Sequence, residues 1–224
     1  MNDPTRVPME RNSAAQRERC YELGAREREL REHGYYLIAG IDEAGRGPLA
    51  GPVVAACTIL REALLLPGVD DSKRLSPARR AALVPQIHAA AAAWGIGLAS
   101  AQEIDTLNIY RATQLAMRRA LAAAELNPDF ILTDAMPLGG LPMPVEAIVR
   151  GDARCTAIAA ASILAKEYRD ELLVQFDAVE PKYGFRRHKG YPTAEHLAAL
   201  RLHGPCSEHR RSFAPVARAL AIHR

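Results

Sequence analysis

Four acidic residues occupy positions where sheet proteins often build a site. Asp42 and Glu43 close a short apolar segment that we predict to be a strand, directly before a glycine-rich stretch. Asp134 closes a later predicted strand, and Asp152 follows the last one. Open α/β sheets bind ligands at the ends of their strands. Carboxylates without a cluster of histidine and cysteine suit a hard cation such as Mg²⁺ or Mn²⁺.

Two such ions about 4 Å apart could stabilise both the attacking and the leaving oxygen of a phosphodiester. Neighbouring residues of a regular strand point to opposite faces, so Asp42 and Glu43 share a site only if the strand ends or bulges there. The glycines that follow make such an ending plausible. Taken singly, any one of these acids is more simply explained as a helix cap or a surface charge.

The glycine-rich stretch, GRGPLAGP at residues 45–52, is the second candidate feature. Glycines let a backbone approach a ligand closely and expose its N–H groups. The stretch has neither the Gly-Lys-Ser/Thr ending of a nucleotide-binding P-loop nor the helix of a dinucleotide-binding turn. A tight turn between two strands is the alternative interpretation.

The charge of the chain is unevenly distributed. The net charge is +3, yet residues 35–181 carry net −4 and residues 182–224 carry net +7. Basic residues alternate with aromatic ones in 182–193 and 209–213, so this region could neutralise phosphates and stack on a base or sugar. A solvated basic face is the alternative, and Phe185 and Phe213 could instead pack in the core. Tyr191 has polar neighbours, which makes core packing a weaker explanation there.

The composition excludes several classes of protein. Apolar residues make up 49% of the chain and charged residues 25%, the balance of a folded globular protein. No apolar run reaches the roughly 18 residues of a membrane span, and the first residues lack the apolar core of a signal peptide. The four cysteines form no C-x-x-C pair, which argues against a zinc ribbon or a disulfide framework. We therefore expect a cytoplasmic protein with no membrane association.

Hydrophobic periodicity and turn residues predict an α/β sheet flanked by helices. The predicted strands are 35–41, 53–60, 94–99, 130–133 and 145–149. The predicted helices are a solvated helix over 13–33 with i,i+4 ion pairs and a stop at Gly34, a helix capped by Ser76 with Pro77 first, and helices over 101–125, 156–176, 194–203 and 214–222.

Taken together, these motifs resemble the ribonuclease HII family, the bacterial type 2 ribonucleases H. The similarity runs in order from about residue 35 to residue 213. The matching blocks are GIDEAGRGPLAGPV (40–53), DSKRLS (71–76), GDA (151–153), AAASILAK (159–166), HKGYPT (188–193), HGP (203–205) and RRSF (210–213).

The resemblance implies a ribonuclease H-like fold, a five-stranded mixed sheet flanked by helices with a helical C-terminal region. It divides the chain into an N-terminal helical extension (1–34), a catalytic domain (35–181) and a basic C-terminal region (182–224). It implies an endonuclease that hydrolyses RNA in RNA–DNA hybrids and cuts 5′ to ribonucleotides embedded in duplex DNA. The products would carry a 3′-hydroxyl and a 5′-phosphate, and two Mn²⁺ or Mg²⁺ ions would assist the reaction.

The resemblance also assigns roles to individual residues. The catalytic, metal-binding quartet falls on Asp42, Glu43, Asp134 and Asp152. The element that reads the ribose 2′-hydroxyl falls on Gly45, Arg46 and Gly47. The tyrosine that stacks on the sugar 3′ of the ribonucleotide falls on Tyr191, and Lys73 would contact a phosphate near the scissile bond.

The chain departs from the family pattern in two places. Ala135 follows Asp134 where many members have glycine. Residues 1–34 match weakly and are too few for the extra domain of the related ribonuclease HIII. No glutamine-and-aromatic clamp-binding motif is visible at the C-terminus, so sliding-clamp binding is not supported. The family pattern favours a monomer.

Three rival interpretations remain at this point. The first is another nuclease of the same fold, such as a junction resolvase or an exonuclease, which would cut all-DNA substrates. The second is a module that binds hybrids without cutting them, irrespective of divalent metal. The third is an α/β protein whose acids only cap helices, which would show no dependence on divalent ions.

Overall fold

The computed structural model describes residues 14–61 and 66–223, and its centre is a five-stranded mixed sheet with the order β3-β2-β1-β4-β5. Strand β2 pairs antiparallel with both β1 and β3, whereas β4 pairs parallel with both β1 and β5. The predicted fold class is therefore confirmed. The strands are β1 (Ile38–Ala44), β2 (Val53–Leu60), β3 (Ala91–Ala99), β4 (Phe130–Asp134) and β5 (Val145–Ile148).

Helices cover the sheet and form the C-terminal region. They are α1 (Ala14–Leu23), α2 (Ala25–Glu32), α3 (Pro77–Ala90), α4 (Ala101–Leu107), α5 (Ile109–Ala123), α6 (Thr156–Val179), α7 (Phe185–His188), α8 (Ala194–His203) and α9 (Ala214–Ile222). Short 3₁₀ helices lie at Ser72–Arg74, Gly151–Ala153 and Pro181–Tyr183. Within the described residues, no helix combines the length and the apolar character that crossing a membrane requires.

Local sequence signals predicted the correct first and last residues of some elements. The bounds of β2, α8 and α9 agree with the prediction, and Ser76 caps α3 by accepting a hydrogen bond from the Arg79 N–H. The predicted helix over 101–125 is wrong as a single element. It is broken at Asn108, whose φ of +69° ends α4 and whose side chain then caps α5. Helix α5 ends at Ala123, well before Pro128.

The N-terminal segment is not the single solvated helix that the charge pattern predicted. It is broken at Gly24, and Ser13 lies outside the described residues. Glu27 of α2 is buried and accepts a hydrogen bond from the Ala157 N–H of α6, at 2.9 Å. Arg26 pairs with Glu146 of β5 at 2.6 Å. The segment therefore docks on the sheet domain, although α2 does stop before Gly34 as predicted.

Three strands extend beyond their predicted ends, β4 by the single residue Asp134. Strand β1 continues through Asp42 and Glu43, which pair with Ala56 and Ala55 of β2. Strand β3 starts at Ala91, directly after α3, within an alanine-rich run that has no strand signal of its own. Pairing with β2 decides its conformation, because tertiary context overrides weak local preference.

Both faces of β1 are buried, which explains its almost continuous apolar character. Ile41 packs in the core on the α5 side with Ala116 and Met117. Ile38 packs on the other side with Ile158 of α6. The side-chain alternation of the strand therefore continues normally up to the acidic pair.

Helix α6 lies unusually close to β1 at Gly40. A Cβ atom at Gly40 would overlap the backbone of Ala157 and Ile158. The Thr58 hydroxyl of β2 donates to the Ala157 carbonyl at 2.7 Å, which fixes the same turn of the helix. The absence of a side chain at Gly40 thus sets the first turn of α6 against the strand, two residues before Asp42.

We expect Gly40→Ala to lower the free energy of unfolding by about 1–3 kcal/mol, the usual range for an overpacked core. Gly139→Ala is the matched control, because a Cβ there meets no atom of the described residues within 4 Å and its φ lies outside the left-handed region. Its effect should stay within about 0.5 kcal/mol. Urea unfolding measures both, and equal effects would contradict the close approach of α6.

Candidate active site

Three of the four predicted acids meet at one edge of the sheet. Strands β1 and β4 are parallel neighbours, and their register pairs Ile41 with Thr133, the residues just before Asp42 and Asp134. Asp152 lies in the 3₁₀ helix that leads into α6. One oxygen from each aspartate lies within 4.8 Å of the other two. We call these three residues the carboxylate cluster.

Hydrogen bonds hold the cluster in place. The Glu43 N–H donates to Asp42 Oδ1 at 2.7 Å, and the Gly151 N–H donates to Asp134 Oδ1 at 2.8 Å. Asp42 is also hydrogen-bonded to Ser162, whose hydroxyl lies 2.8 Å from that of Ser72. Sequence reasoning gave no role to these two serines. The sequence signal that could have found Ser162 is its hydroxyl side chain within the alanine-rich segment 159–165.

Glu43 does not belong to the carboxylate cluster. Because β1 continues to Ala44, Glu43 follows the strand alternation away from Asp42, as a regular strand requires. Its Oε1 lies 3.4 Å from Arg46 Nη1. Its Oε2 is buried and has no hydrogen-bond partner among the described residues. This oxygen is therefore available to a ligand at the end of the strand.

Asp42, Glu43 and Asp152 are harder to ionise than isolated carboxyl groups. Burial, followed by repulsion from Glu43 and Asp134, raises the pKa of Asp42 well above its ordinary value. Burial also raises the pKa of Glu43 to about 7 and, together with Asp134 and Asp71, that of Asp152 to about 6. A bound cation would relieve this repulsion. An all-oxygen donor set fits Mg²⁺ or Mn²⁺, so the residues present can hold such an ion.

Lys73 supplies a positive charge beside the cluster. It lies in the 3₁₀ helix Ser72–Arg74, where Asp71 Oδ1 accepts its backbone N–H at 2.8 Å. Burial alone would lower the pKa of Lys73, but Asp152 and Asp42 outweigh that effect and raise it. The side chain therefore stays charged at neutral pH, near any phosphate that approaches the cluster.

The predicted recognition residues also lie together. Residues 45–52, which we call the glycine loop, connect β1 to β2 and begin at Gly45, whose φ is +97°. Apart from its chain neighbours, a Cβ at Gly47 would have one atom of the described residues within 4 Å, in the Tyr191 ring at 3.9 Å. The Tyr191 side chain is 44% exposed. An open space is thus bordered by Gly47 on one side and the tyrosine ring on the other.

Buried histidines hold the backbone of Tyr191. Its carbonyl oxygen lies 2.9 Å from His196 Nδ1, and His196 Nε2 lies 3.0 Å from His209 Nε2. Burial lowers the pKa of His196 and, with repulsion from His196, that of His209 to about 3. These histidines are neutral and add nothing to the basic surface. Phe185 is fully buried, so the core-packing alternative is right for that ring.

The departure at Ala135 has a backbone explanation. Ala135 has a φ of +51°, and its N–H donates to the Ile148 carbonyl at 3.0 Å. Glycine adopts this left-handed conformation without the steric cost that a Cβ brings. Alanine is tolerated here because neighbouring hydrogen bonds fix the turn, and Asp134 stays in the cluster.

Comparisons with known proteins match most of the chain to one family. A model of the Ribonuclease HII family matches residues 39–216. The ribonuclease HII of Geobacillus thermodenitrificans is 54% identical over 213 residues, which cover 95% of this chain and 82% of that protein.

Solved structures share the fold. The ribonuclease H2 of Pyrococcus horikoshii OT3 has a TM-score of 0.70 at 24% identity, covering 83% of this chain and 97% of that one. Bst-RNase HIII in complex with Mn²⁺ has a TM-score of 0.65 at 18% identity, covering 96% and 74%. The match to the family model, together with this relative, places the chain in the ribonuclease HII family, whose members are ribonuclease H hydrolases.

Proposed function

We propose that this enzyme hydrolyses RNA in RNA–DNA hybrids and cuts 5′ to ribonucleotides embedded in duplex DNA. The observation that carries the proposal is the carboxylate cluster beside the glycine loop and Tyr191. An acidic cluster alone would serve many nucleases. A backbone loop next to the acids could recognise ribose through its 2′-hydroxyl, the group that distinguishes RNA from DNA.

In the proposed reaction, a water oxygen bonds to phosphorus while the bond from phosphorus to the 3′-oxygen breaks. The leaving oxygen takes up a proton and becomes a 3′-hydroxyl, and the phosphate remains on the 5′ end of the ribonucleotide. Two divalent ions, when bound, would lower the pKa of the attacking water and stabilise charge on the leaving oxygen. Support for metal binding comes from the oxygen donors here and from the Mn²⁺ complex of Bst-RNase HIII.

The protein's own residues would orient these groups. Asp42 and Asp134 would present oxygens already fixed by backbone N–H donors, Asp152 would add a third carboxylate, and Glu43 would add its unpartnered Oε2. Lys73 would neutralise a phosphate oxygen near the scissile bond.

Recognition would come from the other side of the site. The glycine loop, with Gly45, Arg46 and Gly47, would read the 2′-hydroxyl, and Tyr191 would stack on the next sugar. The exposed basic residues of 182–223 would hold the nucleic acid backbone. We further propose that 35–181 is the catalytic domain, that 1–34 is an N-terminal extension whose described part, α1 and α2, docks on that domain, and that the enzyme acts as a cytoplasmic monomer.

Replacing Asp42 by asparagine should abolish catalysis while leaving binding nearly intact. Several kcal/mol of metal-dependent stabilisation would be lost, so cleavage of an RNA–DNA hybrid should fall about 10³-fold or more. Asp129→Asn is the control, because Asp129 accepts the N–H groups of Tyr36 and Leu37 at the far end of the sheet. Initial rates and a gel-shift titration measure the two effects. Full turnover by Asp42→Asn would refute the assignment.

Tyr191→Ala should lower the cleavage activity more on a duplex with one ribonucleotide than on a long hybrid. Stacking on one sugar or base is worth about 1–3 kcal/mol, so the selective loss should be roughly 10- to 100-fold. Tyr191→Phe should retain most of the activity because it keeps the ring. Tyr110→Ala, also at an exposed tyrosine, should affect neither substrate selectively. Equal losses on both substrates would mean that the Tyr191 ring is structural.

Burial and mutual repulsion of the acids at this edge of the sheet should lower the stability of the metal-free protein at high pH. A carboxyl whose pKa is raised on folding destabilises the protein once it ionises, so stability falls as pH rises through about 6 for Asp152 and about 7 for Glu43. Asp134→Asn removes one charge and can still accept the Gly151 N–H. In EDTA it should be more stable than the wild type by roughly 1–3 kcal/mol at pH 8, and by less at pH 5.5.

Chemical denaturation at both pH values, with and without Mn²⁺, measures this effect. Mn²⁺ should stabilise the wild type and have little effect on Asp134→Asn, because the ion binds only the folded cluster. An Asp134→Asn protein that is less stable than the wild type at pH 8 in EDTA would contradict the account.

A further inference from the structure

Two buried arginines have no part in the chemistry described so far. Arg169 of α6 is 1% exposed and Arg210, between α8 and α9, is 0% exposed. Asp170, the acid next to Arg169 in sequence, is paired with Lys166 and Arg80 instead. Within the described residues, neither Arg169 nor Arg210 has a carboxylate within 4.0 Å. Buried charges without ionic partners are costly, so their hydrogen bonds must account for their presence.

Those hydrogen bonds go to the backbone of the glycine loop. Arg210 donates at 2.6–3.0 Å to the carbonyls of Gly45, Arg46, Pro48 and Gly51. Arg169 donates to the carbonyls of Ala50 and Pro52, at 2.9 and 3.1 Å. Six of the eight loop carbonyls therefore point at two cations. The guanidinium carbon of Arg210 lies 5.2 Å from the centroid of the Phe213 ring, and this cation–π contact helps to fix the guanidinium.

The direction of the carbonyls determines the direction of the amides. In a planar trans peptide the C=O and the following N–H point opposite ways. Since the Gly45 and Arg46 carbonyls face Arg210, the N–H groups of Arg46 and Gly47 face away from it. Converging carbonyls repel one another, so the loop needs the guanidinium groups to adopt this shape. A Cβ at Gly45 would collide with the Arg169 side chain, so the loop also packs directly on it.

Arg169 connects the loop to Tyr191. Its Nη1 donates to the Lys189 carbonyl at 3.0 Å, while its other nitrogens hold the glycine loop. The Leu49 N–H donates to the Gly190 carbonyl at 2.8 Å, and the Tyr191 N–H donates to that of His188. We call residues 188–191 the tyrosine turn. Within the described part of the chain, the Arg169 side chain donates hydrogen bonds to both the glycine loop and the tyrosine turn.

We propose that Arg169 is a positioning residue that sets the spacing between the glycine loop and Tyr191, and so sets selectivity for isolated ribonucleotides. This inference rests on the proposed function. Arg169 touches no substrate and acts through Tyr191. Arg210 supports the same arrangement from the loop side.

Arg169→Lys tests the proposal with the charge retained. A lysine ammonium is a point charge and cannot reproduce the fork that reaches three carbonyls. The wild type, Arg169→Lys, Tyr191→Ala and the double variant are compared by kcat/KM on a duplex with one ribonucleotide and on a long hybrid. The readout is the ratio of the two values, which general damage to the enzyme does not change.

We expect Arg169→Lys to lower this ratio about 10-fold, because small displacements of positioning groups cost one to two orders of magnitude. The ratio for the double variant should be no lower than the ratio for Tyr191→Ala, since Arg169 acts through that ring. Arg80→Lys is the matched control. Arg80 is also buried and donates to the carbonyls of Ser72 and Leu75, but it does not contact the loop or the turn. Its substitution should leave the ratio unchanged.

An unchanged ratio in Arg169→Lys, or losses that multiply in the double variant, would overturn the inference. If Arg169→Lys shows no cooperative unfolding transition, Arg210→Lys replaces it in the cycle with the same expected fall in the ratio. A wild type that cuts hybrids but never at an isolated ribonucleotide would refute the proposed function instead. The two failures are therefore distinguishable.

Discussion

The contact between α6 and β1 at Gly40 is the constraint on which the carboxylate cluster depends. Three acids that repel one another must be held within 4.8 Å before any cation arrives. Parallel pairing of β1 with β4 brings two of them together, and the start of α6 brings the third. The same helix supplies Ser162 to Asp42. A side chain at Gly40 would move α6 away and separate these groups.

The two halves of the site are built by opposite electrostatic arrangements. The proposed catalytic half gathers negative side chains, two of which accept backbone N–H groups. The proposed recognition half gathers backbone carbonyls, which accept hydrogen bonds from two buried guanidinium groups. Helix α6 contributes to both halves, through Ser162 near its start and Arg169 two turns later. One rigid element thus relates the acids to the glycine loop.

The sequence motifs predicted the acids of the candidate site, but not the residues that hold those acids and the glycine loop in position. Ser76 and Pro77 marked the start of α3 through local capping chemistry, and the strand-end acids predicted the cluster. Periodicity missed the break at Asn108, because a single positive φ leaves the apolar pattern unchanged. The role of Arg169 was also hidden, since its burial depends on segments 117 and 119 residues away in the chain. Such long-range contacts have no local signature.

The decisive experiment is cleavage of an end-labelled DNA duplex that contains one ribonucleotide. The reaction is run with Mg²⁺, with Mn²⁺ and with EDTA, beside an all-DNA duplex of the same sequence. We expect a single metal-dependent cut on the 5′ side of the ribonucleotide and an intact all-DNA control. Tight binding without a cut, or cutting of the all-DNA duplex, would refute the proposed function.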